Sequence, residues 1–341
     1  MPEFCRPLSG VKLKKKIYYV LFAVLILSVS QSAFASSTIR AKAWILIDEN
    51  DSVLTSKNSS AKLPPASTVK LVTAMVALDR LDPTATVTVS KKAKAARSGR
   101  PRLQEGEELT VKDLLHLALM KSNNSAAVAL AEAAGGSEDA FVGLMNQKVN
   151  EIGANDTHFV TASGLPKGKQ YTTARDLTTI LRKALTYPLI RDILGKKVWM
   201  VKTAAGRELF LANTDNLLWR RSDVIGGKTG FTCNARHCFV GAVDTGKGLL
   251  YTAVLGAPSR YRLWQDTSKL ADMGEDLQLD SSLGYFGLLA RPGSSRIWKS
   301  DSIVYQRIMG SDADFEDRSA DSLLPFGYSL SPAAKNFRIT P

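Results

Sequence analysis

The sequence predicts an α/β (α+β) domain: a five-stranded antiparallel sheet flanked by helices on both faces, with an all-helical subdomain between the first strands and the last. Three observations lead there. Strand signals fall near residues 41–55 and again over 224–255. The long stretch between, 110–193, is mainly helical in composition. One early segment, 67–81, is helical and apolar on nearly all sides, interrupted only by Lys70, Asp79 and Arg80, so it belongs in the interior.

Taken in order, residues 41–48 alternate and are β-rich, Glu49-Asn50-Asp51 is a turn signal, and 52–55 reads as the returning strand. Pro64-Pro65 stops any extended element before the buried helix. Thr110 can cap a helix with Asp113 at its third position, and Thr173 can do so with Asp176. Gly135-Gly136 closes one helix and Ser137 can open the next. Strands return at 224–232, 238–243 and 249–255, with Gly246-Lys247-Gly248 as a hairpin turn. A last helix spans 260–273 and is expected to stop at Gly274. The first hairpin is expected to pair with the three late strands.

The ends read differently. Residues 1–35 have the order of a secretory signal: Lys12, Lys14, Lys15 and Lys16, an apolar run over 17–29, then Ala33-Phe34-Ala35. An uncleaved anchor is the other reading, for which the run is short. Residues 36–280 are expected to form the one folded domain, and 281–341, polar and acidic over 309–323, read as a poorly ordered tail.

Of the net charge of +13, the leader carries +4, leaving +9. In a cytosolic protein this would raise nucleic acid as a partner. An exported chain without aromatics among its basic residues points instead to the anionic cell envelope, with peripheral association expected. The densest patch is Lys91, Lys92, Lys94, Arg97, Arg100 and Arg102, for which a solvated loop is an equal reading. His116, His158 and His237 with two remaining cysteines, Cys233 and Cys238, show no metal-ligand spacing, and no cofactor is called for. Export permits a disulfide between the cysteines; the sequence leaves it open.

Three motifs carry the chemistry. In Ser67-Thr68-Val69-Lys70 the spacing puts hydroxyl and amine on one helix face. The preceding prolines place Ser67 at the helix N-terminus, where free N–H groups favour an oxyanion. Serine needs a base, and Lys70 becomes one if burial lowers its pKa. In Ser122-Asn123-Asn124 a second hydroxyl can relay a proton from Lys70 to a leaving amine, and the Asn124 amide can hold a peptide carbonyl. In Lys228-Thr229-Gly230 a cation and a hydroxyl can hold a carboxylate, while Gly230 lets a backbone approach an exposed strand edge. Each motif alone is weak. In this order, 55 and 106 residues apart, they are not coincidental.

The chain resembles the serine-type D-alanyl-D-alanine carboxypeptidases, the low-molecular-mass penicillin-binding proteins of peptidase family S11. Besides the motifs, Asp156-Thr157-His158-Phe159, Gly164-Leu165-Pro166, residues 171–177, Leu217-Leu218-Trp219 and residues 228–232 carry the likeness, which runs from about 41 to 277. It implies the penicillin-binding/β-lactamase-like transpeptidase fold. It implies that Ser67 attacks the D-Ala-D-Ala carbonyl, Lys70 takes its proton and Ser122 shuttles it. Asn124 orients the substrate, Lys228 and Thr229 bind its carboxylate, and the N–H groups of Ser67 and Phe231 form the oxyanion hole. The implied partners are peptidoglycan stem peptides and, as covalent inhibitors, β-lactam antibiotics. The chain departs from the family pattern at Asn123, Arg236 and Thr214. A D,D-endopeptidase is the alternative on the same fold. A β-lactamase would need a further carboxylate, and the only Glu-x-x-x-Asn here, Glu151…Asn155, reads as a helix end.

Overall fold

The computed structural model describes residues 38–283, with side chains to residue 278; the expected leader and the expected tail, apart from the helix backbone to Leu283, lie outside the described residues. Strand β1 (Ala43–Asp48) turns into β2 (Val53–Lys57). A 3-10 turn (Ala66–Val69) opens directly into α1 (Lys70–Arg80). Then come β3 (Thr86–Thr88), α2 (Lys91–Ala95), β4 (Glu108–Thr110), α3 (Val111–Met120), α4 (Asn124–Gly135) and α5 (Glu138–Glu151). They are followed by α6 (Ala174–Ala184), α7 (Pro188–Gly195), β5 (Val198–Lys202), β6 (Glu208–Ala212) and α8 (Leu217–Arg220). Strands β7 (Val224–Thr232), β8 (Arg236–Asp244) and β9 (Leu249–Ala257) precede α9 (Arg260–Leu283).

The five-stranded sheet has the order β2-β1-β9-β8-β7 with every pair antiparallel, so the first hairpin does join the late strands. Strands β8 and β9 are buried along nearly their whole length because helices cover both faces. Neighbouring residues of a strand point to opposite faces. Leu250 of β9 lies against Gly274 of α9, whereas Tyr251 lies under Arg182 of α6, 5.8 Å from ring centroid to guanidinium. α1 is buried from Lys70 to Ala77 and packs against α3, α4, α5 and α6, as a helix apolar on nearly all sides must.

The capping signals are realised. The hydroxyls of Thr110, Ser137 and Thr173 accept the N–H of Asp113, Ala140 and Asp176, and Gly136 leaves α4 in the left-handed region at φ 73°. One expected terminus fails. The last helix does not stop at Gly274 but continues to Leu283. A Cβ on Gly274 would lie 2.4 Å from Leu250 Cδ1, so this glycine permits close helix–sheet packing rather than ending the helix. Two small two-stranded sheets, β3–β4 and β5–β6, were not anticipated. Cys233, exposed, and Cys238, buried, are both free thiols, and burial pushes Cys238 up to about 12. Among the described residues no helix is long and apolar enough to cross a membrane.

Candidate active site

Ser67 does not begin an α-helix as expected. It lies in the 3-10 turn, which Thr68 ties down by donating from its N–H (3.3 Å) and hydroxyl (2.7 Å) to Pro65 O. In a 3-10 turn side chains at i and i+3 eclipse. The Lys70 amine therefore lies 2.7 Å from Ser67 Oγ.

Lys70 is fully buried, and its Nζ also donates to Asn124 Oδ1 at 2.7 Å and Ser163 O at 2.6 Å. Desolvation, and then repulsion from Lys228, hold its pKa well below the ordinary lysine value. Both fixed acceptors lack protons to give. A neutral amine there spends two N–H on them and turns its lone pair to the Ser67 hydroxyl. Gly164, at φ 80°, makes this packing feasible: a Cβ there would fall 1.9 Å from Ala66 O.

The second motif approaches from the α3–α4 connection. Ser122, in the left-handed region at φ 57°, receives a 3.0 Å hydrogen bond from Lys228 Nζ. The Asn123 side chain caps α4, accepting from Ala126 N at 2.9 Å, and donates to Pro101 O at 2.7 Å. Asn124 opens α4. Besides accepting from Lys70 it donates one amide hydrogen to Arg97 O, which leaves the other for a ligand carbonyl.

The third motif lies on β7, the free edge of the sheet. Lys228 is fully buried, donates also to Thr229 O at 2.9 Å, and is pulled down to about 7 by desolvation, against which Asp215 acts. The Thr229 hydroxyl is 2.8 Å from that of Thr214. A Cβ on Gly230 would come within 3.1 Å of Ser67 N, so the glycine brings the β7 backbone against the Ser67 turn. That is the approach an oxyanion pair from Ser67 and Phe231 requires. The Phe231 side chain is 54% exposed and rests on His237, with ring centroids 4.5 Å apart. Arg236 folds away, donating to Pro258 O at 3.3 Å.

The three motifs thus come together, joined in two pairs: Ser122 bonds Lys228, while Lys70 bonds Ser67 and Asn124, and Gly230 closes on the Ser67 turn. Three contributors went unnoticed in the sequence. The Ser163 carbonyl orients Lys70. Loop 96–102 supports Asn123 and Asn124. Asp215 is fully buried, accepts from Leu217 N at 2.9 Å, and has no partner for its Oδ2 among the described residues; desolvation raises it to about 7. Gly164-Leu165-Pro166, just after Ser163, was the available signal for the first.

A serine hydroxyl on a buried lysine, with a second Ser–Lys pair and a free strand edge beside it, is the arrangement of a serine acyl-transfer centre. The chain belongs to the D-alanyl-D-alanine carboxypeptidase family, whose profile matches residues 29–259, and is a serine peptidase. It is 36% identical to the D-alanyl-D-alanine carboxypeptidase DacB2 of Mycobacterium tuberculosis, over 72% of this chain and 85% of that one. It is 32% identical to a D-alanyl-D-alanine endopeptidase of Escherichia coli, over 79% of this chain and 88% of the relative. The crystal structure of a D-alanyl-D-alanine carboxypeptidase from Mycobacterium tuberculosis superposes with a TM-score of 0.66 at 34% identity, covering 71% and 94% of the two chains. The Streptomyces K15 DD-transpeptidase gives 0.65 at 29%, covering 70% and 97%.

Proposed function

We propose that the chain is a serine-type D-Ala-D-Ala carboxypeptidase that removes the terminal D-alanine from peptidoglycan pentapeptides through an acyl-enzyme on Ser67, and that β-lactams acylate the same serine. The observation that carries this reading is the 2.7 Å contact between Ser67 Oγ and a fully buried, weakly basic Lys70. Lys70 takes the hydroxyl proton as Oγ bonds to the penultimate D-Ala carbonyl, and the Ser67 and Phe231 N–H groups receive the oxyanion. The C–N bond breaks as the proton taken up by Lys70 is passed to the leaving amine through Ser122, whose Oγ accepts a hydrogen bond from Lys228. Lys228 and Thr229 hold the departing carboxylate, and water releases the shortened peptide from Ser67. Nothing in this route requires a metal or cofactor.

A D,D-endopeptidase is the second reading, favoured by the relatives that bear that name. Mass spectrometry of muropeptides before and after treatment separates the two. Loss of one D-alanine from pentapeptides is expected, and disappearance of cross-linked dimers instead assigns the endopeptidase. The β-lactamase reading loses its carboxylate, because Glu151 is exposed at the end of α5 and engaged by Lys148 (3.4 Å) and Gln147 (2.8 Å). The basic, apolar, Ala-x-Ala order of residues 1–35 supports export, with the mature chain starting near Ser36 in the periplasm or on the outer face of the cytoplasmic membrane. N-terminal sequencing of the native protein tests it, and recovery of Met1 overturns cleavage.

A further inference from the structure

The loop at residues 96–102 is clamped to the start of α4 by side chains of the second motif. Ser98 Oγ accepts the N–H of Asn124 at 2.9 Å and of Ser125 at 2.8 Å, and lies 3.1 Å from Ser125 Oγ. Asn123 reaches Pro101 O, and Asn124 reaches Arg97 O. The backbone of Arg97 is thereby fixed beside the amide that touches Lys70, while its side chain stands exposed. The neighbouring cations Lys92 and Lys94 have carboxylate partners, Glu138 at 3.5 Å and Glu105 at 3.9 Å. No carboxylate among the described residues pairs with Arg97.

The direction of the cleft decides what Arg97 meets. Ser122 is bonded to Lys228, so that end takes the leaving D-alanine and its carboxylate. Asn124, two residues on, accepts from Lys70, which bonds the nucleophile, and its amide donates to the Arg97 carbonyl on the other side. An extended peptide held along β7 therefore runs its acyl portion past Asn124 and then past Arg97. No acidic group among the described residues answers this guanidinium, and a cation beside a substrate path selects for charge.

We propose that Arg97 is a specificity-determining residue that pairs with a side-chain carboxylate on the residue immediately ahead of D-Ala-D-Ala. The inference rests on the carboxypeptidase reading above and names a substrate class within it. The test uses two isosteric probes, Nα-acetyl-L-Glu-D-Ala-D-Ala and Nα-acetyl-L-Gln-D-Ala-D-Ala, at low salt. In the wild type the ratio of kcat/KM for the Glu over the Gln probe is expected to be about fivefold, the upper end for a solvent-exposed ion pair, and to shrink as salt is added. Arg97→Gln should bring the ratio to one, Arg97→Glu below one, and Arg97→Lys should recover most of it. A ratio near one in the wild type, or an unchanged ratio in Arg97→Gln, overturns the proposal. Benzylpenicillin acylation and the Gln probe run alongside: if neither reacts with the wild type, the carboxypeptidase reading fails and this inference falls with it, whereas reaction of both with a flat Glu/Gln ratio overturns this inference alone. Because the readout is a ratio, a general loss of activity from disturbing the loop does not imitate the effect.

Discussion

Lys70 and Lys228 are both fully buried in one cleft, and both lose basicity chiefly through desolvation, but their partners differ. Lys70 has two acceptors that hold no proton, Asn124 Oδ1 and Ser163 O, and its third direction meets Ser67 Oγ. The charge that acts on it is another cation, Lys228. Lys228 has Ser122 Oγ and Thr229 O, no third partner among the described residues, and the buried carboxyl of Asp215 to favour its charge. The same side chain is thus poised as a base at one position and as a cation with an open N–H at the other. Burial alone does not decide the role; the third neighbour does.

The comparison breaks most sharply on arginine. Lys70→Arg keeps the charge but removes the base, because guanidinium does not release its proton in proteins. Acylation by penicillin is expected to slow at least ~100-fold, the lower end for losing a general base. A Lys70→Arg enzyme that acylates near the wild-type rate, with Lys228→Arg inactive, would reverse the two roles. Next in size is Gly164→Ala, which sets a Cβ 1.9 Å from Ala66 O at a left-handed φ. A destabilisation of about 3 kcal/mol is expected, with slower acylation because the Ser67 turn must shift. Thermal melting alongside acylation checks both, and an unchanged Tm excludes the clash. Lys228→Arg should cost on the order of tenfold in kcat/KM, the worth of one charge-assisted hydrogen bond.

Most of the architecture was legible in the sequence because long elements write themselves in side-chain periods. The sheet, the largely apolar α1, three caps and the three motifs are of this kind. The misreadings share a cause: contacts made by backbone, or by residues whose meaning depends on a distant neighbour. Gly274 looks like a stop until Leu250 is seen to occupy its missing Cβ position. The Ser163 and Arg97 carbonyls, which hold Lys70 and Asn124, carry no side-chain signature. β3 and β4, three residues each, are too short to show alternation. Asp215 reads as a turn residue and becomes informative only through its burial.

The two lysines also predict a pH profile. Lys70 must be neutral to act, so kcat/KM rises with pH through its lowered pKa. Lys228 must be charged to hold the carboxylate, so the rate falls as pH rises through about 7. A bell is expected for kcat/KM, which reports the free enzyme. In the profile of kcat the descending limb should move to higher pH, because a bound carboxylate stabilises the Lys228 cation. Coincident descending limbs would mean that Lys228 does not touch the substrate carboxylate.

The smallest expected effect concerns Asp215, and it tests whether the third neighbour matters. Its Oδ1 accepts the N–H of Leu217, a bond that an asparagine oxygen can keep. Its charge raises the pKa of Lys228, opposing desolvation. Asp215→Asn removes that charge with little change of shape. The Lys228 cation then loses support and its pKa falls. The descending limb of kcat/KM should therefore shift to lower pH, while the ascending limb, set by Lys70, stays in place. The Asp215 carboxyl is itself held near 7 by burial, so the influence is greatest above that pH, where it is ionised. Below about pH 6 the variant and the wild type should converge, because the wild-type carboxyl is then neutral too. A limb that stays fixed, or moves upward, would show that Lys228 draws its charge from elsewhere. Equal shifts of both limbs would point to a rearranged cleft rather than a lost charge.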